Sequence, residues 1–378
     1  MPAPAPAAGT LGDDPVGGAV ARIRVAADSK QNGWFRELAE PAREAARKSF
    51  KLGTYTPPDG PLVRAAQIET GGIVLDPVAV THYPKAWRLT WAQIPPSNYH
   101  AYRTQQVLAN RDRMRCSLEM GSRLGTPAYI VANGPSAADR VREIPSRPRD
   151  SLVFAINAAA DLIEHDYWIL GCALYPGEKS SAGWRHRLIG EWMALDHTGA
   201  EMVCATYADA ELVTDFEKRW GDIHFWHGAN RNPYRPLVHE TTNLPNLIEG
   251  IQSIVATIHL ASWLGCGPIF LYGVDQARPI GSERMHAAGR EGWAGGGPPE
   301  EAWYRQPGVG GGEVETNAVL ACAALHVAAI SMWLQDAAIP IFNCSAGLDF
   351  LFAPHLSPAE ATELIADVEE DADFEKTG

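Results

Sequence analysis

The sequence predicts an α/β fold: a doubly wound, mainly parallel, Rossmann-like sheet with an N-terminal appendage. Three observations support this prediction. Short, continuous apolar runs recur along the chain, helical segments separate them, and several runs end in polar residues or glycine. Continuous apolar strands are typical of a parallel sheet covered on both faces, and regular alternation with helices favours the doubly wound arrangement.

The central strand is predicted at 129–132, and the turn Asn133-Gly134-Pro135-Ser136 follows it. Gly134 would let the backbone approach a ligand, and Ser136 is predicted to cap a helix over about 136–144. A strand, a glycine turn and a helix N-terminus together can bind an anion through free N–H groups and the helix dipole. Neither GxGxxG nor a GKS/GKT loop is present, so the turn alone also fits an ordinary strand-to-helix connection.

The other elements are predicted in chain order from the same patterns. Strands are expected at 152–156, 167–170, 201–206, 268–275 and 339–343, and helices at 101–121, 184–195, 252–264 and 313–334. Residues 221–245 are predicted as a polar loop whose histidines lack metal-ligand spacing. Residues 276–312 form a long Gly/Pro-rich stretch, which predicts a flexible lid over the site.

Four domains or segments are predicted along the chain. Residues 1–20 are Pro/Ala/Gly-rich and are expected to be a disordered tail, and residues 21–120 form a region to which the sequence assigns no fold. The Rossmann-like domain is expected at 121–358, followed by an acidic tail at 359–378.

Composition narrows the classes of partner and compartment. The chain has 378 residues and a formal net charge of -13, which argues against nucleic-acid binding because that function needs a basic surface. Six scattered cysteines without a CxxC pair predict neither a zinc site nor a disulfide framework. No apolar run reaches the roughly 18 residues of a membrane span, and no signal peptide is recognisable. We therefore expect a cytoplasmic protein, and the oligomeric state stays open.

Polar or glycine residues follow four predicted strands: the Asn133–Ser136 turn, Asn157, Gly273 to Asp275, and Asn343 with Ser345. The carboxyl ends of parallel strands form the ligand-binding edge of an open sheet. Asparagine both donates and accepts hydrogen bonds, which suits ribose, base edges and phosphate. The carboxylate of Asp275 could accept from a ribose, bind Mg²⁺ or take a substrate proton. Together these strand ends predict a nucleotide-type ligand.

The ordered set of these pieces resembles the MptE-like family of Rossmann-type proteins, and more distantly the bacterial sialyltransferases that use CMP-sialic acid. The MptE-like family includes 6-hydroxymethylpterin diphosphokinases and the motility accessory factors that modify flagellin. The resemblance covers residues 128–358 and rests on these segments: Asn133–Ser136, 154–157, Ser253 at the head of its helix, 264–275 and 343–345. It implies that the Asn133–Ser136 turn, Asn157 and Ser253 face a nucleotide.

The chain departs from that pattern in two places. The sialyltransferase pattern has a histidine base before its penultimate long helix, where this chain has 311–317 without histidine, and only His286, earlier in the loop, could substitute. Ala137 follows Ser136 where the family has a larger apolar residue. The resemblance therefore supports nucleotide binding better than it supports one reaction.

Two classes of function follow. The first is a transferase that moves a diphosphoryl or glycosyl group from a nucleotide donor to an unknown acceptor. Asp275 would bind Mg²⁺ in the diphosphoryl form. In the glycosyl form the leaving phosphate would bind at Ser136, and His286 or Asp275 would act as base. Loop arginines would bind phosphate; they are Arg278, Arg284 and Arg290. The alternative is a non-catalytic scaffold or virion-associated protein that retains the fold.

Overall fold

The computed structural model describes residues 96–144, 151–171, 184–228, 244–247, 252–282, 303–309, 312–316 and 339–348. It also describes the pairs 66–67 and 73–74 and individual residues between 320 and 334 and between 353 and 361. The pairs form a short antiparallel ladder, β1 (Ala66–Gln67) with β2 (Ile73–Val74). The predicted tail 1–20 and most of the predicted acidic tail 359–378 lie outside the described residues.

Eight parallel strands form the central sheet, in the spatial order β13-β9-β3-β4-β5-β6-β7-β8. These strands are β3 (Ala128–Val131), β4 (Leu152–Ile156), β5 (Tyr167–Leu170), β6 (Glu201–Ala205), β7 (Ile223–Gly228), β8 (Asn246–Leu247), β9 (Ile269–Tyr272) and β13 (Ile341–Asn343). Strands β3, β4, β5 and β9 are buried along their whole length, which is why they read as continuous apolar runs. The Rossmann-like fold class is confirmed.

The direction of strand addition reverses at β3. The chain first adds β4 to β8 on one side of β3 and then returns to place β9 on its other side, so that Val131 of β3 lies between Ala155 of β4 and Tyr272 of β9. Ligands of open α/β sheets bind at such a reversal, outside the carboxyl ends of the strands. We call that side of the sheet the carboxyl edge.

Among the described residues, five α-helices with defined bounds connect or flank the strands: α1 (Pro96–Asn110), α2 (Ala137–Arg140), α3 (Trp184–Met193), α4 (Ala210–Arg219) and α5 (Ser253–Leu264). In α4, Asp209 caps the N-terminus by accepting from the N–H groups of Glu211 and Leu212. Asp209 also accepts from the Tyr102 hydroxyl of α1. Helix α1 therefore packs against the parallel-sheet domain, to which Val107 contributes a fully buried side chain.

Helix α5 leads the chain back across the sheet to β9. It contacts β3, β4, β5 and β8. Since parallel crossovers are right-handed, this return places α5 on the face opposite to the helices that connect β4 to β7. Gly265 ends the helix in the left-handed region, at φ 92. The predicted helix 252–264 is confirmed, and its N-terminus lies at the carboxyl edge.

The predicted lid contributes two strands to a three-stranded antiparallel sheet. Strand β12 (Glu313–Thr316) pairs with both β10 (Arg278–Pro279) and β11 (Tyr304–Pro307). The prediction of a helix starting at residue 313 is therefore wrong, because the first four residues pair as a strand before the chain turns helical by residue 320. The prediction of one continuous loop over 276–312 is wrong at both ends, and residues 283–302 lie outside the described residues.

The predicted loop at 221–245 begins with a buried strand instead. Strand β7 (Ile223–Gly228) has histidines at 224 and 227, which hid its apolar character. His224 Nε2 lies 2.6 Å from Glu201 Oε2 on the neighbouring strand β6, so a cross-strand partner offsets its burial. His239 lies outside the described residues.

Within the described part of the chain, no helix is long and apolar enough to cross a membrane.

Candidate functional site

The Asn133–Ser136 turn is fixed to the end of β9 by Asp275. The Ser136 N–H donates to Asp275 Oδ2 over 2.8 Å, and the Ser136 hydroxyl donates to Oδ1 over 2.6 Å. The N–H of Ala346, after β13, donates to the same Oδ1 over 3.2 Å. One carboxylate therefore joins the carboxyl ends of β3, β9 and β13.

Asp275 is only 3% exposed, and its two oxygens are occupied by these donors. Burial raises the pKa of the carboxyl group, and the hydrogen bonds from Ser136 and from the backbone oppose that shift. Such a carboxylate suits a positioning role. It does not fit the predicted Mg²⁺ site, which needs carboxylate oxygens open to the ligand side.

Glycines make this junction possible. A Cβ at Gly134 would overlap the carbonyl oxygen of Gly273 and the Asp275 carboxylate. Gly273 has φ 63, and a Cβ there would overlap the Ala132 carbonyl oxygen. The predicted importance of both glycines thus has a packing reason: the turn after β3 and the end of β9 touch through their backbones.

Ser136 was predicted to cap a helix through its side chain, and this prediction is wrong. Its hydroxyl donates to Asp275 instead. Helix α2 has four residues and passes directly into a 3₁₀ turn at Val141–Glu143. A helix this short does not supply the predicted anion site at Ser136, because few peptide dipoles align there.

Asn343 and Ser345 also have internal partners. The Asn343 amide donates to the Leu348 carbonyl over 3.1 Å, and its Oδ1 accepts from the Ser345 N–H over 3.0 Å. The Ser345 hydroxyl accepts from the Val274 N–H over 2.8 Å. Both side chains are fully buried. Their contacts support a role in shaping the turn after β13, and the predicted nucleotide contact stays a prediction.

Asn157, which directly follows β4, differs from Asn343 in backbone conformation and in side-chain bonding. It adopts the left-handed region at φ 53, and its carbonyl oxygen accepts from the Trp168 indole over 2.9 Å. Its side-chain Oδ1 is buried and has no hydrogen-bond partner among the described residues. A left-handed backbone and an unpaired buried amide oxygen both cost free energy, which is characteristic of ligand-binding positions.

The N-terminus of α5 lies against the end of β5. Gly171 directly follows β5, and a Cβ at this position would overlap the Ser253 hydroxyl. Gln252, the residue before α5, has an extended backbone and no side-chain capping bond. Its Oε1 accepts from Gln276 Nε2 over 2.7 Å. Because Gln276 directly follows Asp275, this bond joins the N-terminus of α5 to the end of β9.

These contacts close into a ring around the carboxyl edge. β3 adjoins β9 and β4, β4 adjoins β5, and the N-terminus of α5 bridges β5 and β9. We call this set the polar ring; its members are Ser136, Asp275, Gln276, Gln252, Ser253, Gly171 and Asn157. Asn133 and Pro135 lie in the turn that precedes Ser136 and are half-buried. The ring encloses the reversal point of the sheet, so it has the position of a ligand site.

Among the described residues, the non-glycine residues with positive φ are Asn157 and Gln276. Both are carboxamides, and both belong to the polar ring. Each has a buried side-chain oxygen without a partner in the described part of the chain. Backbone strain and an unpaired acceptor thus occur together at two points of one ring.

The predicted phosphate-binding arginines fall in two groups. Arg278 is 6% exposed, donates from Nε to Glu315 Oε2 over 3.0 Å, and lies over the Trp303 ring at 4.0 Å. Its guanidinium therefore helps to hold the antiparallel sheet together. Arg284, Arg290 and the predicted base His286 lie outside the described residues.

Three residues of the polar ring were not predicted as site residues from the sequence: Gln252, Gln276 and Gly171. A signal was available for Gln276, because it extends the polar end of the β9 run by one residue. Gln252 and Gly171 carry no comparable signal: a residue before a helix and a glycine after a strand are ordinary. Their importance follows from which strand ends the fold brings together.

No family model matches the chain, and no curated protein matches it. Its structure is similar to the solved structure of a MAf glycosyltransferase from Magnetospirillum magneticum AMB-1, at 18% identity and a TM-score of 0.50. The match covers 78% of this chain and 46% of that protein, so the chain spans less than half of its length. The likeness shows the fold and agrees with the resemblance to motility accessory factors. It leaves the predicted likeness to sialyltransferases a prediction.

Proposed function

We propose that the protein is a nucleotide-dependent glycosyltransferase whose donor, a nucleotide sugar, binds inside the polar ring. The observation that carries the proposal is Asn157 at the carboxyl end of β4. Its backbone is left-handed, and its buried side-chain oxygen has no partner among the described residues. An acceptor in this state gains most from a ligand donor, such as a ribose hydroxyl or a base amino group. The structural likeness to a MAf glycosyltransferase supports the same class of fold.

The phosphate of the donor has a place at α5. This helix has 12 residues, its first N–H groups lack a side-chain cap, and the Ser253 hydroxyl lies there. The aligned peptide dipoles and the N–H groups of the first turn favour an anion. This position replaces Ser136 as the proposed phosphate contact, because the Ser136 hydroxyl and N–H are occupied by Asp275.

The bonding of Asp275 favours glycosyl transfer over diphosphoryl transfer. The carboxylate predicted to bind Mg²⁺ accepts hydrogen bonds from the N–H and the hydroxyl of Ser136 instead. The electrostatic work would then be done by the helix N-terminus. The chain supplies binding and orientation of the donor and exclusion of water by the antiparallel sheet, whose Thr316 hydroxyl donates to the Gln276 carbonyl over 2.8 Å.

Mass spectrometry of the products tests the proposal. The protein is incubated separately with CMP-, UDP- and GDP-linked sugars and with ATP, each with water or a mixture of sugar alcohols as acceptor. Glycosyl transfer predicts release of the free nucleotide from one nucleotide sugar, and Asn157→Gly should slow it. Release of AMP from ATP would show diphosphoryl transfer instead. Turnover of none of these donors would contradict the proposed reaction.

A further inference from the structure

Gln276 is the second residue of the polar ring with a left-handed backbone, and the proposed contacts to the nucleotide do not involve it. It lies four residues after the end of β9, at φ 49, and is 8% exposed. Its carbonyl accepts from Thr316 and its Nε2 donates to Gln252 Oε1. Two bonds thus fix the backbone and one side of the side-chain amide.

The oxygen of the same amide makes no such bond in the part of the chain that the structure describes. Gln276 Oε1 is buried and has no partner among the described residues. An amide oxygen left unpaired in the protein interior destabilises the folded state, so a hydrogen-bond donor that reaches it is bound favourably. The bond to Gln252 fixes the amide beside the uncapped N-terminus of α5, which offers donors where Gln276 offers an acceptor.

We propose that Gln276 is a specificity-determining residue that accepts a hydrogen bond from a hydroxyl group of the transferred sugar. This inference rests on the proposed function. With the donor phosphate at the N-terminus of α5, Asn157 lies on the β4 side of the ring and Gln276 on the β9 side. If the nucleoside binds near Asn157, the sugar to be transferred lies on the other side of the phosphate, which is the side of Gln276.

The ligand chemistry follows from the atoms on offer. Oε1 is an acceptor only, and Gln276 Nε2 is already bonded to Gln252, so the position selects a donor such as hydroxyl. A site built to accept from a hydroxyl rejects an analogue that lacks it, because the buried acceptor then stays unpaired. Gln276 therefore separates sugars that carry a hydroxyl at one position from their deoxy analogues.

Calorimetric titration of Gln276→Met tests the inference. Methionine keeps the length of the side chain and imposes the same left-handed backbone cost, but it removes the acceptor. The probes are CMP, UDP and GDP and the corresponding nucleotide sugars, titrated into wild type and variant. We expect the variant to bind the free nucleotide within twofold of wild type and to bind the preferred nucleotide sugar about tenfold more weakly.

The melting temperature of Gln276→Met without ligand should be near that of wild type or slightly lower, because the variant removes the unpaired Oε1 but leaves Gln252 Oε1 without its donor. Gln105→Met, at an exposed position of α1, is the control and should change neither affinity. Equal weakening of nucleotide and nucleotide sugar, or no weakening of either, would overturn this inference alone. So would a wild type that binds nucleotides without any gain from an attached sugar. A wild type that binds no nucleotide would overturn the proposed function as well.

Discussion

Asp275 accepts two hydrogen bonds from one residue, Ser136, 139 positions earlier in the chain. The backbone N–H and the hydroxyl of Ser136 each reach a different carboxylate oxygen. This pair determines where the turn after β3 lies relative to β9, and with it one side of the polar ring. Both residues were predicted to contact a ligand, and in the structure they bond to each other and hold two strand ends together.

Replacing Asp275 by Asn should destabilise the fold. The amide nitrogen cannot accept, so the backbone N–H of either Ser136 or Ala346 loses its partner, at a cost of about 1–3 kcal/mol in the free energy of unfolding. Urea denaturation measures the change. Asp139→Asn, an exposed position in α2, is the matched control and should change stability little. An Asp275→Asn variant as stable as wild type would show that the joint contributes nothing to folding.

Gly273→Ala should be more destabilising than Gly281→Ala. Both glycines have positive φ, 63 and 68, so both substitutions impose a similar backbone cost of about 1–2 kcal/mol. A Cβ at Gly281 meets open space, whereas at Gly273 it would overlap the Ala132 carbonyl oxygen and the Ala137 side chain. We expect Gly273→Ala to lose about 3–5 kcal/mol in the same denaturation experiment. Equal losses in the two variants would contradict the close backbone packing of the turn.

Substitution of the two asparagines should weaken nucleotide binding without unfolding the protein. Asn157 needs glycine rather than alanine, because alanine at φ 53 adds backbone strain that would be confused with a lost ligand contact. We expect Asn157→Gly and Asn133→Ala each to lose about 1–3 kcal/mol of binding free energy, read by calorimetry, with melting temperatures near wild type. Unchanged affinity in both variants would place the nucleotide elsewhere.

His197 should make the protein acid-labile. It is 1% exposed, stacks on Trp168 at 4.2 Å, and its Nδ1 lies 3.1 Å from His165 Nε2. Burial lowers the pKa of His197 from 6.5 to about 4. A lowered folded-state pKa contributes stability that is present above pH 6.5 and is lost as the pH falls toward 4, because the unfolded chain binds the proton first.

The test measures the free energy of unfolding at a series of pH values, from about one unit above the unfolded pKa of 6.5 down to about 4. The His197→Phe variant keeps an aromatic ring against Trp168 and removes the titrating group, so its stability should fall less steeply with acid. The same slope in both proteins would mean that other groups carry the acid sensitivity.

The buried strands could be predicted from the sequence because burial on both faces leaves an unbroken apolar run, as in β3, β4 and β9. Strand β7 could not, because two histidines interrupt it and the partner that offsets the burial of His224, Glu201, is 23 residues away. The start of β12 was predicted as a helix. It forms a strand because pairing with β10 and β11 outweighs local propensity.

The candidate site was predicted in position more than in detail. Polar strand ends marked the carboxyl edge, and Asn157 was identified in this way. The sequence could not separate Asn157, whose side-chain oxygen is unpaired, from Asn343, whose amide is fully bonded, because that difference arises from contacts between distant segments. Gln276 emerges for the same reason: its bond to Gln252 exists only in the folded chain.

The central claim is that the polar ring binds a nucleotide. Isothermal titration of the wild-type protein with CMP, CDP, ATP and GTP tests it most directly. We predict that at least one of these nucleotides binds with a stoichiometry of one per chain, and that Asn157→Gly weakens that nucleotide. If a well-folded wild-type protein gives no binding heat with any of the four, and none of them raises its melting temperature, the account of this site is wrong.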